Sequence, residues 1–97
     1  MSWQPQPDYD YSRLQNVDVY DASGNKIGPI DQVLTERPTG RRYLLVKGGP
    51  LGMGTDSYYI PETAIDMVGK DRVVVDVKKD TLKDQGWTKP PTQDWAV

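Results

Sequence analysis

Between residues 17 and 77 the sequence breaks every few residues at Gly, Pro, Asn or Asp, and the runs between those breaks alternate apolar with polar side chains. So many breaks leave no room for long amphipathic helices, whereas a two-residue period suits half-buried strands. Asn16-Val17-Asp18-Val19-Tyr20 alternates cleanly. Asp21-Ala22-Ser23-Gly24-Asn25-Lys26 then supplies residues that tolerate positive φ or bond their own backbone, as a hairpin loop requires. A second run, Ile27-Gly28-Pro29-Ile30-Asp31-Gln32-Val33-Leu34, loses its alternation at Gly28-Pro29, where proline removes a ladder N–H. A bulge or a sheet edge is expected there. Arg37-Pro38-Thr39-Gly40 reads as a turn, residues 41–47 as the third strand, and Tyr58-Tyr59-Ile60 and residues 72–77 as the fourth and fifth. One short helix is expected at residues 79–85, ended by Gly86. Such a succession predicts an all-β domain, either a small antiparallel barrel or a strongly coiled sheet.

Alternation assigns Val19, Ile27, Ile30, Val33, Leu45, Ile60, Val73 and Val75 to the core. The third strand is unusual. Tyr43 and Leu45 share one face while Leu44 and Val46 share the other, so the strand is apolar on both. A lone barrel needs only one apolar face, and with Leu45 inside, Leu44 and Val46 point outward. The outer face then calls for a cover, which a second copy, the helix around Leu82 or one of the tails would provide.

The sequence holds no His and no Cys. Ser–His and Cys–His nucleophile pairs and zinc sites built on those residues are therefore excluded within one chain. Asp18 with Asp21, or Asp66 with Asp71, could in principle act as paired acids. That chemistry needs a deep cleft that separates their pKa values, and a domain this small offers little room for one. Turn positions explain these aspartates. Residues 21–25 lack the alternating ligands and closing Glu of a calcium loop, so neither a metal nor a cofactor is expected. Gly48-Gly49-Pro50-Leu51-Gly52-Met53-Gly54 lacks the Lys-Ser/Thr pair and following helix of a phosphate loop. It does hold two apolar groups, Leu51 and Met53, either tucked beneath the sheet or shown to a partner.

A net charge of −2 argues against a broad electrostatic grip on nucleic acid. Arg37, Arg41, Arg42 and Lys47 gather near the third strand, but twelve aspartates dilute their field. No basic-then-apolar segment opens the sequence, and no apolar run approaches the ~20 residues of a membrane span. Together with the absence of cysteine, this makes the expected setting cytoplasmic.

The order Val19-Tyr20-Asp21, Gly24, Lys26-Ile27-Gly28, Ile30-Asp31-Gln32-Val33-Leu34, then Thr39-Gly40 with Arg42-Tyr43-Leu44-Leu45-Val46, resembles a PRC-barrel domain. That module is shared by the photosynthetic reaction-centre H subunit and a bacterial ribosome-maturation factor. Residues 49–54, Ile60-Pro61-Glu62-Thr63-Ala64-Ile65, residues 71–77 and Leu82 fall where the family places its glycine-rich loop, proline-led turn, last strand and terminal helix. Pro29 stands where the family more usually has a polar residue, which predicts irregular pairing of the second strand. Lys78 replaces a frequent Ser or Thr cap, which predicts a poorly started helix. The resemblance implies a small antiparallel PRC-type β-barrel of five to six short strands with one short C-terminal helix. It implies an adaptor that contacts another protein or its own copy, in some members linked to RNA metabolism, and no catalytic residues.

The expected organisation is an extended tail at residues 1–15, the barrel at 16–85 and a Pro/Trp-containing tail at 86–97. Trp3, Trp87 and Trp95 all lie in the tails. Large aromatic groups are the usual anchors of interfaces, although Trp87 is also placed to fold back on the barrel. The leading expectation is a non-enzymatic interaction or assembly module, homodimeric through Leu44, Val46, Leu51, Met53, Trp87 and Trp95. Two others stand beside it: an accessory factor in RNA or ribosome metabolism that docks on a protein component, and a small-ligand binder with its site near residues 48–54.

Overall fold

The computed structural model describes residue 3, residues 8–47 and residues 57–95. The glycine-rich stretch with Leu51 and Met53 lies outside the described residues. Among the described residues six strands form one sheet: β1 (Asp18–Tyr20), β2 (Lys26–Thr35), β3 (Arg42–Lys47), β4 (Ser57–Pro61), β5 (Ile65–Val68) and β6 (Arg72–Val75). Their order is β4-β3-β2-β1-β6-β5. All neighbours are antiparallel except β1 and β6, which run parallel, so the expectation of a purely antiparallel sheet is corrected. No ladder among the described residues joins β4 to β5, and the sheet is open rather than closed into a hydrogen-bonded barrel.

The coiled sheet still encloses one core. Tyr58 and Ile60 of β4 belong to the same buried cluster as Ile65 of β5 and Val73 and Val75 of β6, so the two ends of the sheet face each other across β1. Val19 sits at the centre, fully buried and paired to Gly28 on one side and Val73 on the other.

Expected irregularities fall close to their predicted places. The register slips between Val19 and Tyr20, which leaves Ile27 as the extra residue of a bulge one position before Gly28. Pro29 is tolerated because pairing to β3 begins only at Ile30. The expected helix at Lys79–Gln85 is a 3₁₀ segment that buries Leu82 and ends at Gly86 with φ 75°. Lys78 makes no side-chain cap bond, which leaves the first N–H groups of an α-helix unanswered. β5 was not foreseen; at four residues, with a register shift at Asp66, it carries almost no periodicity. Nor is the first tail simply extended. Asp10 accepts bonds from the Ser12 amide and hydroxyl, starting a 3₁₀ turn at Tyr11–Leu14 that puts Leu14 in the core.

The largest correction concerns β3. Leu44 and Val46 are fully buried and Leu45 is half-buried, so the strand faces the opposite way from the expectation. Two inner rows cross the sheet, Ile30–Val46–Tyr58 and Val33–Leu44–Ile60. A one-residue change of facing moves every side chain to the other surface, and a strand apolar on both surfaces gives alternation nothing to choose by. The register shift at Asp31, between Ile30 and Gln32, lets both Ile30 and Val33 of β2 join those inner rows.

The β1–β2 turn rests on Asp21, which is buried. Its carboxylate accepts from the Ser23 amide at 2.9 Å, the Asn25 amide at 2.7 Å and the Asn25 side chain at 3.4 Å. Two stability predictions follow from these burials. Leu44→Ala should cost about 2–5 kcal/mol through lost burial and a cavity, against about 1 kcal/mol for half-buried Leu45→Ala. Asp21→Ala should cost about 1–3 kcal/mol, because the turn amides lose a charged acceptor. Urea denaturation midpoints check all three.

Candidate interaction surface

With Leu44 and Val46 inside, the outward rows of β2–β4 are Gln32–Leu45–Tyr59 and Leu34–Tyr43–Pro61. This second apolar surface is covered from the same chain. Trp95 stacks on Tyr59, with centroids 6.1 Å apart and planes 10° apart, and meets Tyr43 edge-on at 5.6 Å. Tyr43 is buried as a result, although it points away from the core.

The turn at residues 37–40 holds the tail in place. Gly40, at φ 72°, closes it by donating to the Glu36 carbonyl, and the Glu36 amide bonds the Arg41 carbonyl. Glu36 then forms an antiparallel bridge with Trp95. The Arg37 amide donates to the Asp94 carbonyl at 2.9 Å, and its guanidinium reaches the Trp95 carbonyl at 3.0 Å and the Asp94 carboxylate at 3.4 Å. Nearer β4, the Trp87 carbonyl accepts from the Tyr59 amide at 2.8 Å while its half-buried ring packs on the core.

Of the six expected interface residues, Leu44 and Val46 are core, Leu51 and Met53 lie outside the described residues, and Trp87 and Trp95 converge on Tyr59. Sequence reasoning missed Arg37 and Asp94, which lie far apart in the chain and match no local pattern. It also missed Tyr43 and Tyr59 as the seat of Trp95. The only signal was the double apolar face of β3 in a chain whose tryptophans all lie in its tails.

The basic residues scatter. Arg37 serves the tail, Lys47 lies 3.9 Å from Asp31, and Arg42 sits 4.1 Å over the Tyr11 ring on the other side of the sheet. There Tyr11, Ser12, Gln15, Gln32, Val33, Thr35 and Arg42 line a groove of about 300 Å³. Trp3, Tyr9 and Tyr11 pack edge to face behind it, and the Trp3 amide bonds the Ile65 carbonyl. Of the proposed acid pairs, the members of the first have separate structural roles. Asp18 pairs with Lys26 at 3.3 Å, and Asp21 supports its turn. Asp66 and Asp71 are exposed. Among the described residues no group of three or more acids could hold a metal, and no helix is long and apolar enough to cross a membrane.

Residues 7–82 match the family model of the PRC-barrel domain. A crystal structure of RimM from Pseudomonas aeruginosa, named a 16S ribosomal RNA processing protein, is similar with a TM-score of 0.63 at 20% identity. The alignment covers 77% of this chain and 47% of that one, so the chain spans less than half the length of that protein. At this identity the likeness establishes a shared fold. No curated protein matches the sequence.

Tyr11 gives a pH test of the groove. Burial first, then its bond to Glu62 at 2.7 Å, pushes the hydroxyl up to about 12, against a smaller opposing effect of Arg42. The unfolded chain ionises Tyr11 near about 10. Stability drawn from the protonated hydroxyl is therefore full below that pH and is lost as the pH rises through about 12. Spectroscopic titration should show a late tyrosine step that disappears in Tyr11→Phe. Separately, Trp95→Ala should lower stability by about 1–3 kcal/mol through its two ring contacts, with a matching fall in melting temperature.

Proposed function

We propose that this chain, which belongs to the PRC-barrel domain family, is a non-enzymatic interaction or assembly module that acts as a homodimer in the cytoplasm. The observation that carries this reading is the outer surface of β2–β4. A core-facing strand needs one apolar side, yet β3 has two, and on the outer one, beside Trp95, Tyr43 is buried while Leu45 and Tyr59 are half-buried. Aromatic groups with a polar rim are the usual centre of a protein contact. In a two-fold pair this surface meets its own copy, so one substitution acts twice. The non-enzymatic part is supported by a chain without His or Cys, in which Asp18 pairs with Lys26 and Asp21 holds a turn.

A second reading is an accessory role in RNA or ribosome metabolism through docking on a protein component, favoured by the fold shared with RimM. Recovery of ribosomal proteins in an affinity pull-down would support it, and recovery of the chain alone would support the first reading. Light scattering during gel filtration addresses the homodimer directly. The wild-type protein should elute as a dimer at tens of micromolar, Leu45→Asp as a monomer, and Asp31→Asn unchanged. A monomeric wild type would contradict the dimer.

A further inference from the structure

Arg42 is a cation on the core-facing side of β3. By register it continues the inner row of Leu44 and Val46, yet those two are fully buried while Arg42 stays half-buried at the end of the strand. A guanidinium partly withdrawn from water calls for an acceptor that answers its charge. Among the described residues none does, since the ion pairs engage Lys26, Arg37 and Lys47 and not Arg42. The Glu62 carboxylate accepts from the Tyr11 hydroxyl at 2.7 Å and lies outside ion-pair distance of the guanidinium. The Tyr11 ring, with its centroid 4.1 Å from the cation, holds it in place but cannot accept its five N–H groups. Arg42 lines the groove of about 300 Å³ between the first 3₁₀ turn and β2–β3. The walls of that groove are fixed. Leu14 anchors the turn in the core, Glu62 ties down the Tyr11 hydroxyl, and just after the turn the Asn16 amide donates to the Ile30 carbonyl at 2.8 Å. Val33 gives the groove an apolar patch, while Thr35 and Gln15 add a hydroxyl and an amide that make no side-chain hydrogen bond among the described residues.

We propose that this groove binds a small monocarboxylate: its carboxylate pairs with Arg42, its short apolar body rests against Val33 and Tyr11, and any further polar group is met by Gln15 or Thr35. The chemistry selects that class. A planar guanidinium presents paired N–H groups that match the two oxygens of a carboxylate, and such charge-assisted bonds are roughly twice as strong as neutral ones. One cation answers one negative charge. A phosphate dianion would bring a second charge beside Glu62, in a chain of net charge −2, and no second Lys or Arg among the described residues lines the groove. The volume lies at the small end of ligand pockets, roughly 300–1,000 Å³, which suits a compact acid. Because the groove stands on the other side of the sheet from the Tyr43–Trp95–Tyr59 surface, the inference is independent of whether the chain pairs with its own copy.

Solution NMR of the full chain tests this with acetate, isovalerate and benzoate, each beside its neutral amide, and with inorganic phosphate as the competing anion. At least one of the acids should give saturable shifts at the Arg42 guanidinium, the Val33 methyls and the Tyr11 ring, with a dissociation constant of about 1 mM or tighter, ordinary for a ligand this small. Its amide should bind at least about tenfold more weakly, because the charge-assisted bonds to Arg42 are lost. Arg42→Gln should abolish the shifts, and Arg42→Lys should weaken binding because a point charge replaces the fork. The comparison of acid with amide uses the wild-type protein, so it decides the matter even if an Arg42 variant fails to fold. Shifts that do not saturate for any of the acids, equal affinity for acid and amide, tighter binding of phosphate, or full binding by a folded Arg42→Gln would each overturn the proposal.

Discussion

A strand with two apolar faces can satisfy only one of them in a core, and β3 is such a strand. The inner choice, Leu44 and Val46, aligns with Ile60 and Tyr58 of β4 and with Val33 and Ile30 of β2, which closes the core across a sheet that hydrogen bonds leave open. The outer choice, Tyr43 and Leu45, obliges the chain to bring back a distant segment. At the typical cost of exposing apolar area, about 25 cal/mol per Å², a bare Tyr43–Tyr59 surface would weaken a domain of this size appreciably. Trp95 covers much of it, and what remains uncovered is the basis for association.

Polar groups steer this arrangement more than they stabilise it. The Arg37–Asp94 pair is exposed on both sides, and such pairs contribute about 0–1 kcal/mol. Its value is directional, since three contacts from one residue fix where the tail crosses the β2–β3 turn. Asp21 does the same inside the β1–β2 turn, where its buried carboxylate answers amides that would otherwise go unpaired. On the opposite side Arg42, Tyr11 and Glu62 tie the first 3₁₀ turn to the sheet.

Local features of the fold were legible in the sequence, because turns and strands follow from neighbouring residues. The Asp21–Lys26 loop, the irregularity near Gly28-Pro29, the turn at residues 37–40 and the stop at Gly86 all occur where turn chemistry puts them. Burial of Val19, Ile27, Ile30, Ile60, Val73 and Val75 follows from alternation. Alternation failed at β3, where both parities are apolar and Leu45 was given the wrong facing, while Val33 keeps its inner place but is only half-buried. Long-range features were not readable at all: the parallel β1–β6 ladder, the Arg37–Asp94 contact and the Tyr43–Trp95–Tyr59 stack depend on which distant segments meet. What the sequence did show was that something had to cover β3, with a tail among the candidates.

Membership of the PRC-barrel family accounts for the scaffold, while the tail that crosses its outer face lies beyond residues 7–82, the part of the chain that matches the family. The central claim, that residues 94 and 95 dock on the β2–β3 turn, can be read at a single amide. Arg37 sits in an exposed turn, and its N–H has the Asp94 carbonyl as its partner. Residue-resolved hydrogen exchange should find that amide protected and should find the protection lost in Trp95→Ala. Exchange of the Arg37 amide at the rate of a free turn in the wild-type protein would contradict the account.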